Sequence, residues 1–318
     1  MNDFSSKTYF IRKKSIQIIY KILRGILIFG LCFLILQPLL NQISISFMSQ
    51  TDLFDSTVIS IPREPSLNNY QDAMRVMDYV NSLLITLGIT FGVALLQIAA
   101  CTFVAYGFAR YNFPFKKTIF GFVILTIIVP PQTILAPLYL NFRFFDIFGI
   151  FNLTMGEPLN LLFNPIGYLL MASTGMGLRS GLYIFMLRQH FRNMPKELEE
   201  AAYIDGCGKL RTFLQIMLPD AIPMIVSCFL FAFVWQWTDS FFSSLFLGNT
   251  NVLSLQLLSL ADVFSHQYRM QNLILPSIPL IESIIATGII LVIMPLIAIY
   301  MFAQRSFVES IGQSGIKM

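Results

Sequence analysis

The sequence is poor in charged residues. Only 12% of its 318 residues are Asp, Glu, Lys or Arg, whereas 56% are hydrophobic, and the mean hydropathy is +0.70. Soluble domains carry about 25% charged residues, so this composition excludes an ordinary soluble protein and predicts a chain that lies mostly in lipid. The net charge of +4 is modest and gives no indication of nucleic-acid binding.

Residues that support catalysis or metal binding are also scarce. The four cysteines have neither redox nor metal-ligand spacing, and the two histidines are far apart. The Gly-x-x-x-x-Gly-Lys-[Ser/Thr] phosphate loop is missing, because Tyr203 occupies the first glycine position before Gly208-Lys209. We therefore expect no catalytic residues, no metal and no ATP-binding motif in this chain.

Long apolar runs are what the sequence has instead. A bilayer core of about 30 Å needs about 20 residues of helix. The predicted membrane helices are 22–42, 81–108, 118–140, 166–190, 220–246 and 277–303. The first is too long for the apolar region of a signal peptide, so we expect it to be retained. The fold class is all-α, with six transmembrane helices.

Arg179 interrupts the fourth of these runs. A helix that began after Arg179 would be too short to cross the bilayer before Arg188. A start near Ile166 gives a full span and places Arg179 within the membrane, and this is the interpretation we prefer.

The basic residues predict the orientation. With a cytoplasmic N-terminus, 16 of the 21 Lys and Arg residues fall on inner segments, as the positive-inside rule requires. Residues 1–21 and 304–318 are then cytoplasmic tails, 43–80 is an outer loop, and 191–219 is an inner loop. The outer stretch 149–177 either shapes the docking of another protein or caps the helices.

The inner loop 191–219 has the pattern of a short helix. Pro195 suits a first helical turn, three glutamates follow it, and Gly206 suits the end of the helix. One predicted face is small and mostly apolar, and it consists of Leu198, Ala201, Ala202 and Asp205. Periodicity alone does not distinguish a coupling helix from an amphipathic helix on lipid headgroups.

The residues of this loop also carry a family resemblance. Glu200-Ala201-Ala202, Asp205-Gly206 and Ile216-x-Leu218-Pro219 resemble the EAA loop of binding-protein-dependent ABC importer permeases. The resemblance implies that the loop helix docks on a separate ATP-binding subunit and passes its closure to the membrane helices. Together with the predicted face, which adds Leu198, it assigns ATPase coupling to Leu198, Glu200, Ala201, Ala202, Asp205, Gly206, Ile216, Leu218 and Pro219.

Other segments are similar to the shorter six-helix subunit of the maltose-type carbohydrate branch. They are Pro62, Leu67-Asn68-Asn69-Tyr70, Asn81-Ser82-Leu83, Ala105-Tyr106-Gly107-Phe108-Ala109-Arg110, Pro137-Leu138-Tyr139, Trp237-Thr238-Asp239 and the tail from Phe307 to Lys317. Ser310 and Ser314 depart from the family pattern, because glycines are usual there, which puts close packing of the tail on the ATPase in doubt.

The resemblance implies a type I ABC importer permease fold with a core over residues 77–303. It implies a multi-pass protein of a bacterial-type cytoplasmic membrane that moves a sugar or oligosaccharide by alternating access. The implied partners are a second, larger permease subunit, two ATP-binding subunits that hold ATP and Mg, and an extracytoplasmic solute-binding protein. A non-sugar solute such as an amino acid or a phosphate ester is the alternative, followed by a secondary transporter, although no internal repeat is evident.

Four residues are candidates for the translocation path: Arg179, Trp235, Asp239 and Glu282. Ionisable groups within a membrane usually face a cavity or a partner. The simpler alternative is that Arg179 forms a buried pair with one carboxylate and only orders the helices. Trp235, Trp237 and the two phenylalanines after Ser240 could stack on sugar rings or form an aromatic belt at the outer interface.

Overall fold

The computed structural model describes the backbone of residues 3–55, 57–248 and 250–315, and side chains only for 17–55, 57–248, 250–302 and 304. This part of the chain is helical, with one isolated β-bridge between Phe145 and Leu159. The first eight helices are α1 Asp3–Ser46, α2 Gln50–Phe54, α3 Asn68–Val76, α4 Tyr79–Arg110, α5 Lys116–Ile128, α6 Leu135–Arg143, α7 Ile150–Met155 and α8 Pro165–Ser173. The others are α9 Ser180–Asn193, α10 Glu197–Ile204, α11 Lys209–Thr212, α12 Leu218–Thr238, α13 Phe241–Leu247, α14 Leu253–Asn272 and α15 Ile278–Gly315.

The chain divides into two compact units. The first unit contains residues 1–73 and 265–290, and its turn after α1 is closed by side chains of the predicted Asn-Asn-Tyr landmark. The buried Asn69 amide donates hydrogen bonds to the carbonyl oxygens of Ser46, at 3.2 Å, and Met48, at 2.9 Å. The Tyr70 ring packs on Phe47 at 5.1 Å between centroids. These contacts satisfy the carbonyls that the end of a helix leaves free.

The second unit contains residues 74–264 and 291–318, and α4 lies at its centre. Helices α8, α9 and α12 all pack against α4. The Trp237 indole is fully buried and donates a hydrogen bond to the carbonyl of Val292 at 3.0 Å. Apolar and aromatic side chains such as Phe142, Tyr168 and Phe246 form a continuous core.

The third predicted span, 118–140, is sharply bent. Helix α5 ends at Ile128, and the next helical pair, a 3₁₀ turn at Pro131–Ile134 followed by α6, leaves at 106°. Pro130 and Pro131 cause the break, because proline lacks an amide hydrogen and restricts the residue before it. The prediction of one continuous helix over 118–140 was wrong, since α5 alone has 13 residues and reaches about 20 Å.

The fourth predicted span, 166–190, is broken. Helix α8 ends at Ser173 and α9 begins at Ser180, so the interpretation of one helix through Arg179 was wrong. Gly175 has φ +72° and Arg179, which directly precedes α9, has φ +60°, and this left-handed conformation interrupts a continuous helix. We call residues 174–179 the helix break.

The remaining spans are shifted rather than broken. The first and second predicted spans lie within α1 and α4, and the sixth, 277–303, begins one residue before α15. The fifth, predicted over 220–246, is a continuous helix from Lys209 to Thr238, with α13 separate. By length and composition, four helices of the described residues could cross a membrane, or five if the bent pair counts as one span. The predicted total of six is therefore reached only by including the broken fourth span. Sidedness and membrane boundaries stay predictions.

Candidate functional site

Helix α10 lies in the inner loop and ends where the sequence predicts. Gly206 follows it with φ +81°, a conformation that L side chains rarely adopt. The amide of Cys207 donates to the carbonyl of Ala202 at 2.9 Å, and the amide of Gly206 donates to that of Tyr203 at 3.1 Å. These two bonds form a Schellman motif, which satisfies carbonyls at the helix end. The turn that leads the chain from α10 towards α11 is therefore well defined.

Glu199 fastens α10 to the end of α4. Its carboxylate accepts a hydrogen bond from the Tyr106 hydroxyl at 2.7 Å and pairs with the Arg110 guanidinium at 3.5 Å. Both charged side chains are nearly buried, with exposed fractions of 6% for Arg110 and 11% for Glu199. Arg110 also donates to the carbonyl of Met194, just before α10, at 2.8 Å. The short helix is thus tied to a long membrane helix by charge and hydrogen bonds.

The surroundings of this pair are aromatic. The Tyr106 ring packs against Phe191 at 5.4 Å and Phe213 at 4.6 Å, which brings the ends of α4 and α9 and the segment after α11 together. Burial, followed by the negative charge of Glu199, raises the pKa of Tyr203 on α10, so its phenol stays protonated. A buried ion pair of this kind is held in one geometry by its neighbours.

The prediction that four residues form one free, small face of α10 is partly wrong. Leu198, Ala201 and Asp205 are exposed, but Ala202 is buried because it lies three residues after Glu199, on the side that faces the protein. Glu200 is exposed, as a docking role requires. The sequence interpretation missed Ile204, whose side chain is 87% exposed and is the most prominent apolar group of α10. An unpaired apolar residue beside three glutamates was the signal that could have identified it.

The last three predicted coupling residues lie on the continuous helix that follows α10. Ile216 belongs to a π-helical turn, Phe213–Met217, and Leu218 and Pro219 begin α12. Because Pro219 cannot donate a backbone hydrogen bond and its ring crowds the preceding turn, a wider turn at this point relieves the conflict. Ile216 and Leu218 are half-buried, so they join this helix to the protein rather than present a free surface.

Gln97 of α4 holds the helix break. Its amide nitrogen donates to the carbonyl of Leu178 at 2.6 Å and to the Ser180 hydroxyl at 2.9 Å. A Cβ added at Gly177 would lie 2.9 Å from the Gln97 side chain, so glycine is needed for this approach. The sequence interpretation missed Gln97, although a fully buried amide in an apolar helix is a recognisable signal.

The polar network continues from Gln97 towards Asp239. The Gln236 amide of α12 donates to Gln97 at 3.3 Å, and the Tyr168 hydroxyl of α8 donates to Gln236. The Asp239 carboxylate accepts from the amides of Ser243, at 3.0 Å, and Phe241, at 3.3 Å, so it caps α13. Four helices are therefore joined through buried, mostly neutral polar groups.

Arg179, Trp235 and Asp239 line one cavity of about 330 Å³. The Arg179 guanidinium carbon lies 3.6 Å from the centre of the Trp235 ring, a close cation–π contact. The alternative of a buried pair between Arg179 and a carboxylate is not what the described residues show, because Arg179 is exposed and stacked on Trp235. The structure thus brings three of the four path candidates together.

The remaining candidates fall elsewhere. Glu282 is an exposed residue of α15 in the first unit, and its place on the path stays a prediction. Trp237 is buried and cannot stack on a solute. The tail side chains from Phe307 to Lys317 lie outside the described residues. Among the residues that the structure describes, no group of His, Cys, Asp and Glu comes together as a metal site would require.

A family model described as binding-protein-dependent transport system inner membrane component matches residues 97–313, from the Gln97 network to the tail. The chain belongs to this family. It is therefore a multi-pass inner membrane protein and a transport subunit of an ABC importer.

Two relatives illustrate the match. The chain is 30% identical over 251 residues to the osmoprotective compounds uptake permease protein GgtD of Synechocystis sp.. The aligned region covers 79% of this chain and 75% of GgtD. It is 27% identical over 256 residues to the melibiose/raffinose/stachyose import permease protein MelC of Bacillus subtilis, which covers 80% and 83%.

A solved structure confirms the fold. It is a crystal structure of a bacterial ABC transporter involved in the import of the acidic polysaccharide alginate, with a TM-score of 0.69 and 20% identity over 91% of this chain and 96% of that one. The chain accordingly has the type I permease fold of ABC importers, as predicted.

Proposed function

We propose that the chain is a permease subunit that carries a sugar or oligosaccharide across the membrane by alternating access. The support comes from relatives named as permeases for melibiose, raffinose and stachyose and for arabinooligosaccharides, which align over 80% and 90% of this chain. The test is direct binding of candidate sugars to the solute-binding protein of the same system, followed by uptake in vesicles that hold the complete transporter. Sugar binding without uptake, or uptake of unrelated solutes only, contradicts the proposal.

A second solute class has a specific observation in its favour. The relative in Synechocystis is named for osmoprotective compounds rather than for sugars as such. Uptake should then rise with external osmolarity and accept small polar solutes, whereas an oligosaccharide importer should be insensitive to osmolarity. The same vesicles distinguish the two.

The exposed side of α10 is proposed to dock on a separate ATPase subunit. The single observation that carries this is the buried Glu199–Arg110 pair, which ties a short inner helix to a membrane helix and leaves Leu198, Ala201 and Ile204 exposed. A coupling element needs both properties, namely a free contact surface and a rigid attachment. A helix that only floats on headgroups does not need a buried ion pair.

This role requires partners. The two ATPase subunits are proposed to bind ATP and Mg, since the chain has no phosphate-loop motif. A second permease subunit is proposed to complete the translocation path, and a solute-binding protein to deliver the solute on the outer side. Each ligand would shift the transporter between inward-facing and outward-facing states by its differential affinity for them.

Ile204→Asp tests the docking surface. Because Ile204 is 87% exposed, the change should leave the subunit folded but weaken retention of the ATPase subunit and abolish uptake. Ile59→Asp is the matched control, since Ile59 is 84% exposed in the predicted outer loop. Copurification of the ATPase with both variants to the wild-type level contradicts the docking proposal.

The cavity around Arg179 is proposed to form one wall of the path. Its volume of about 330 Å³ is at the lower end of the size typical of small-molecule sites, and a partner subunit would enlarge it. Arg179→Ala should change uptake without loosening the ATPase. Unchanged uptake and unchanged stability together would remove Arg179 from the path.

A further inference from the structure

Helices α5 and α9 pack against each other as an antiparallel ladder. Near one end, Gly181 lies against Val123 and Thr126, so closely that an added Cβ would be 2.8 Å from the Val123 carbonyl oxygen. One turn further along α9, the Phe185 ring stacks on Phe120 at 6.5 Å. Residues closer to the C-terminal end of α9 therefore contact residues closer to the N-terminal end of α5, so the two helices are antiparallel.

The ladder ends in three cations. Arg188 lies with its guanidinium carbon 3.9 Å from the centre of the Phe120 ring. Lys116 is one turn before Phe120 on α5, and Arg192 is one turn after Arg188 on α9. Arg188 and Arg192 are close enough to Lys116 for their charges to repel it. We call these three residues the basic cluster.

No carboxylate neutralises the basic cluster in the part of the chain that the structure describes. Two ion pairs of the described residues, Arg63–Asp55 and Arg110–Glu199, do not involve the cluster. The Arg188 Nε atom is buried and meets no acceptor among these residues. Like charges that lie near one another destabilise the fold unless an anion joins them.

The flank of the basic cluster is apolar and exposed. On α5, Ile119 and Phe122 are exposed, the latter at 62%, on the membrane side of Lys116. The cations lie at the predicted cytoplasmic ends of two membrane helices. An anion with an attached hydrocarbon chain fits both features, whereas a free anion uses only the cations.

We propose that the basic cluster binds the phosphate of an anionic phospholipid of the inner leaflet, with its acyl chains along the exposed side of α5. Basic pockets between membrane helices on the cytoplasmic side bind lipid headgroups in this way. The lipid joins the end of α9, which leads directly into α10, to the start of α5. Its binding therefore stabilises the base from which the coupling helix projects.

The test uses the complete transporter, purified in mild detergent and analysed by native mass spectrometry after incubation with phosphatidylglycerol or phosphatidylcholine. The wild-type complex should retain phosphatidylglycerol in preference to phosphatidylcholine. Arg188→Gln should weaken that retention roughly fivefold, and the triple Lys116→Gln, Arg188→Gln, Arg192→Gln variant at least tenfold. Lys117→Gln, which removes an exposed neighbouring charge, is the matched control and should bind as the wild type does.

Three results would overturn the proposal. The first is equal retention of phosphatidylglycerol by the wild type and both cluster variants, with the complexes intact by size exclusion. The second is displacement of the lipid by millimolar inorganic phosphate, which would make the cluster a site for the free anion. The third is loss of the ATPase subunit from the triple variant with lipid retention unchanged, which would make it a protein contact. If the triple variant fails to assemble, the single Arg188→Gln variant decides the matter.

Discussion

The inner loop, residues 191–219, and the helix break, residues 174–179, lie at opposite ends of α9 and are held by opposite kinds of chemistry. The first is fastened by an ion pair between Glu199 and Arg110, and the second by the neutral amide of Gln97. The ion pair is at the predicted water boundary, where charges cost less, whereas the amide lies within an apolar helix. The comparison teaches that this fold uses charge to hold its short inner helix, α10, and neutral hydrogen bonds to shape its membrane interior.

The largest effect is expected from breaking the ion pair. Arg110→Met leaves the Glu199 carboxylate nearly buried without its cation, which costs about 3–5 kcal/mol. Uptake should be lost, and the unfolding temperature of the complex should fall. Arg63→Met, which breaks the exposed pair with Asp55, is the control and should leave both unchanged. Equal behaviour of the two variants would show that α10 is not held by charge.

The next effect concerns the packing that the helix break makes possible. In Gly181→Ala the new methyl group would collide with Thr126 and the Val123 carbonyl, so α5 and α9 must separate at a cost of about 1–3 kcal/mol. Thermal unfolding of the complex measures it. Gly88→Ala on α4 meets open space and serves as the control. A neutral Gly181→Ala variant would mean that the packing of α5 on α9 does not depend on this close approach.

A smaller effect is expected at the neutral amide. Gln97→Leu removes the donors to Leu178 and Ser180 and should cost about 1 kcal/mol, because hydrogen bonds between membrane helices contribute modestly. The uptake rate should fall clearly although the unfolding temperature changes little, since the break lies beside the cavity. Gln97→Glu should be no better, because a carboxylate cannot donate to the Leu178 carbonyl. Full activity of Gln97→Leu would contradict the role given to the amide.

The smallest effect is expected from the contact between Arg179 and Trp235. Trp235→Leu removes a cation–π interaction of about 0.5–1 kcal/mol and should change the apparent affinity for the solute by a few-fold, with ATPase binding intact. Arg179→Lys keeps the charge, so its apparent affinity for the solute should lie between those of the wild type and Arg179→Ala. A change in ATPase binding instead would place this contact in the coupling pathway.

Local features of the inner loop, residues 191–219, could be predicted from the sequence. Gly206 ends α10 because the left-handed conformation there suits glycine, and that requirement is visible in the residues around it. The anchor could not be predicted, since Tyr106 and Glu199 are 93 positions apart and their contact depends on tertiary packing. The burial of Ala202 follows from that anchor, so the predicted face was partly wrong for the same reason.

The helix break could not be predicted from hydropathy alone. Residues 166–190 are apolar enough for one helix, but Gly175 and Arg179 adopt positive φ and divide it. Gly177 and Gly181 near Arg179 allow close approach to Gln97 and to α5, but composition does not distinguish a glycine that allows close approach from one that breaks a helix. At Pro130-Pro131 the signal for the bend was present in the sequence and outweighed by the length of the apolar run.

Helix α4 carries both attachments, since Gln97 holds the helix break and Arg110, 13 positions further along, holds α10. An α-helix turns about 100° with each residue, so one residue inserted between these positions would rotate Arg110 away from Glu199 while Gln97 stayed in place. Point substitutions along this stretch change packing locally, but an insertion changes the phase of everything after it. The number of residues from Gln97 to Arg110 is therefore constrained in this chain, because it sets both the distance and the angle between the two attachments.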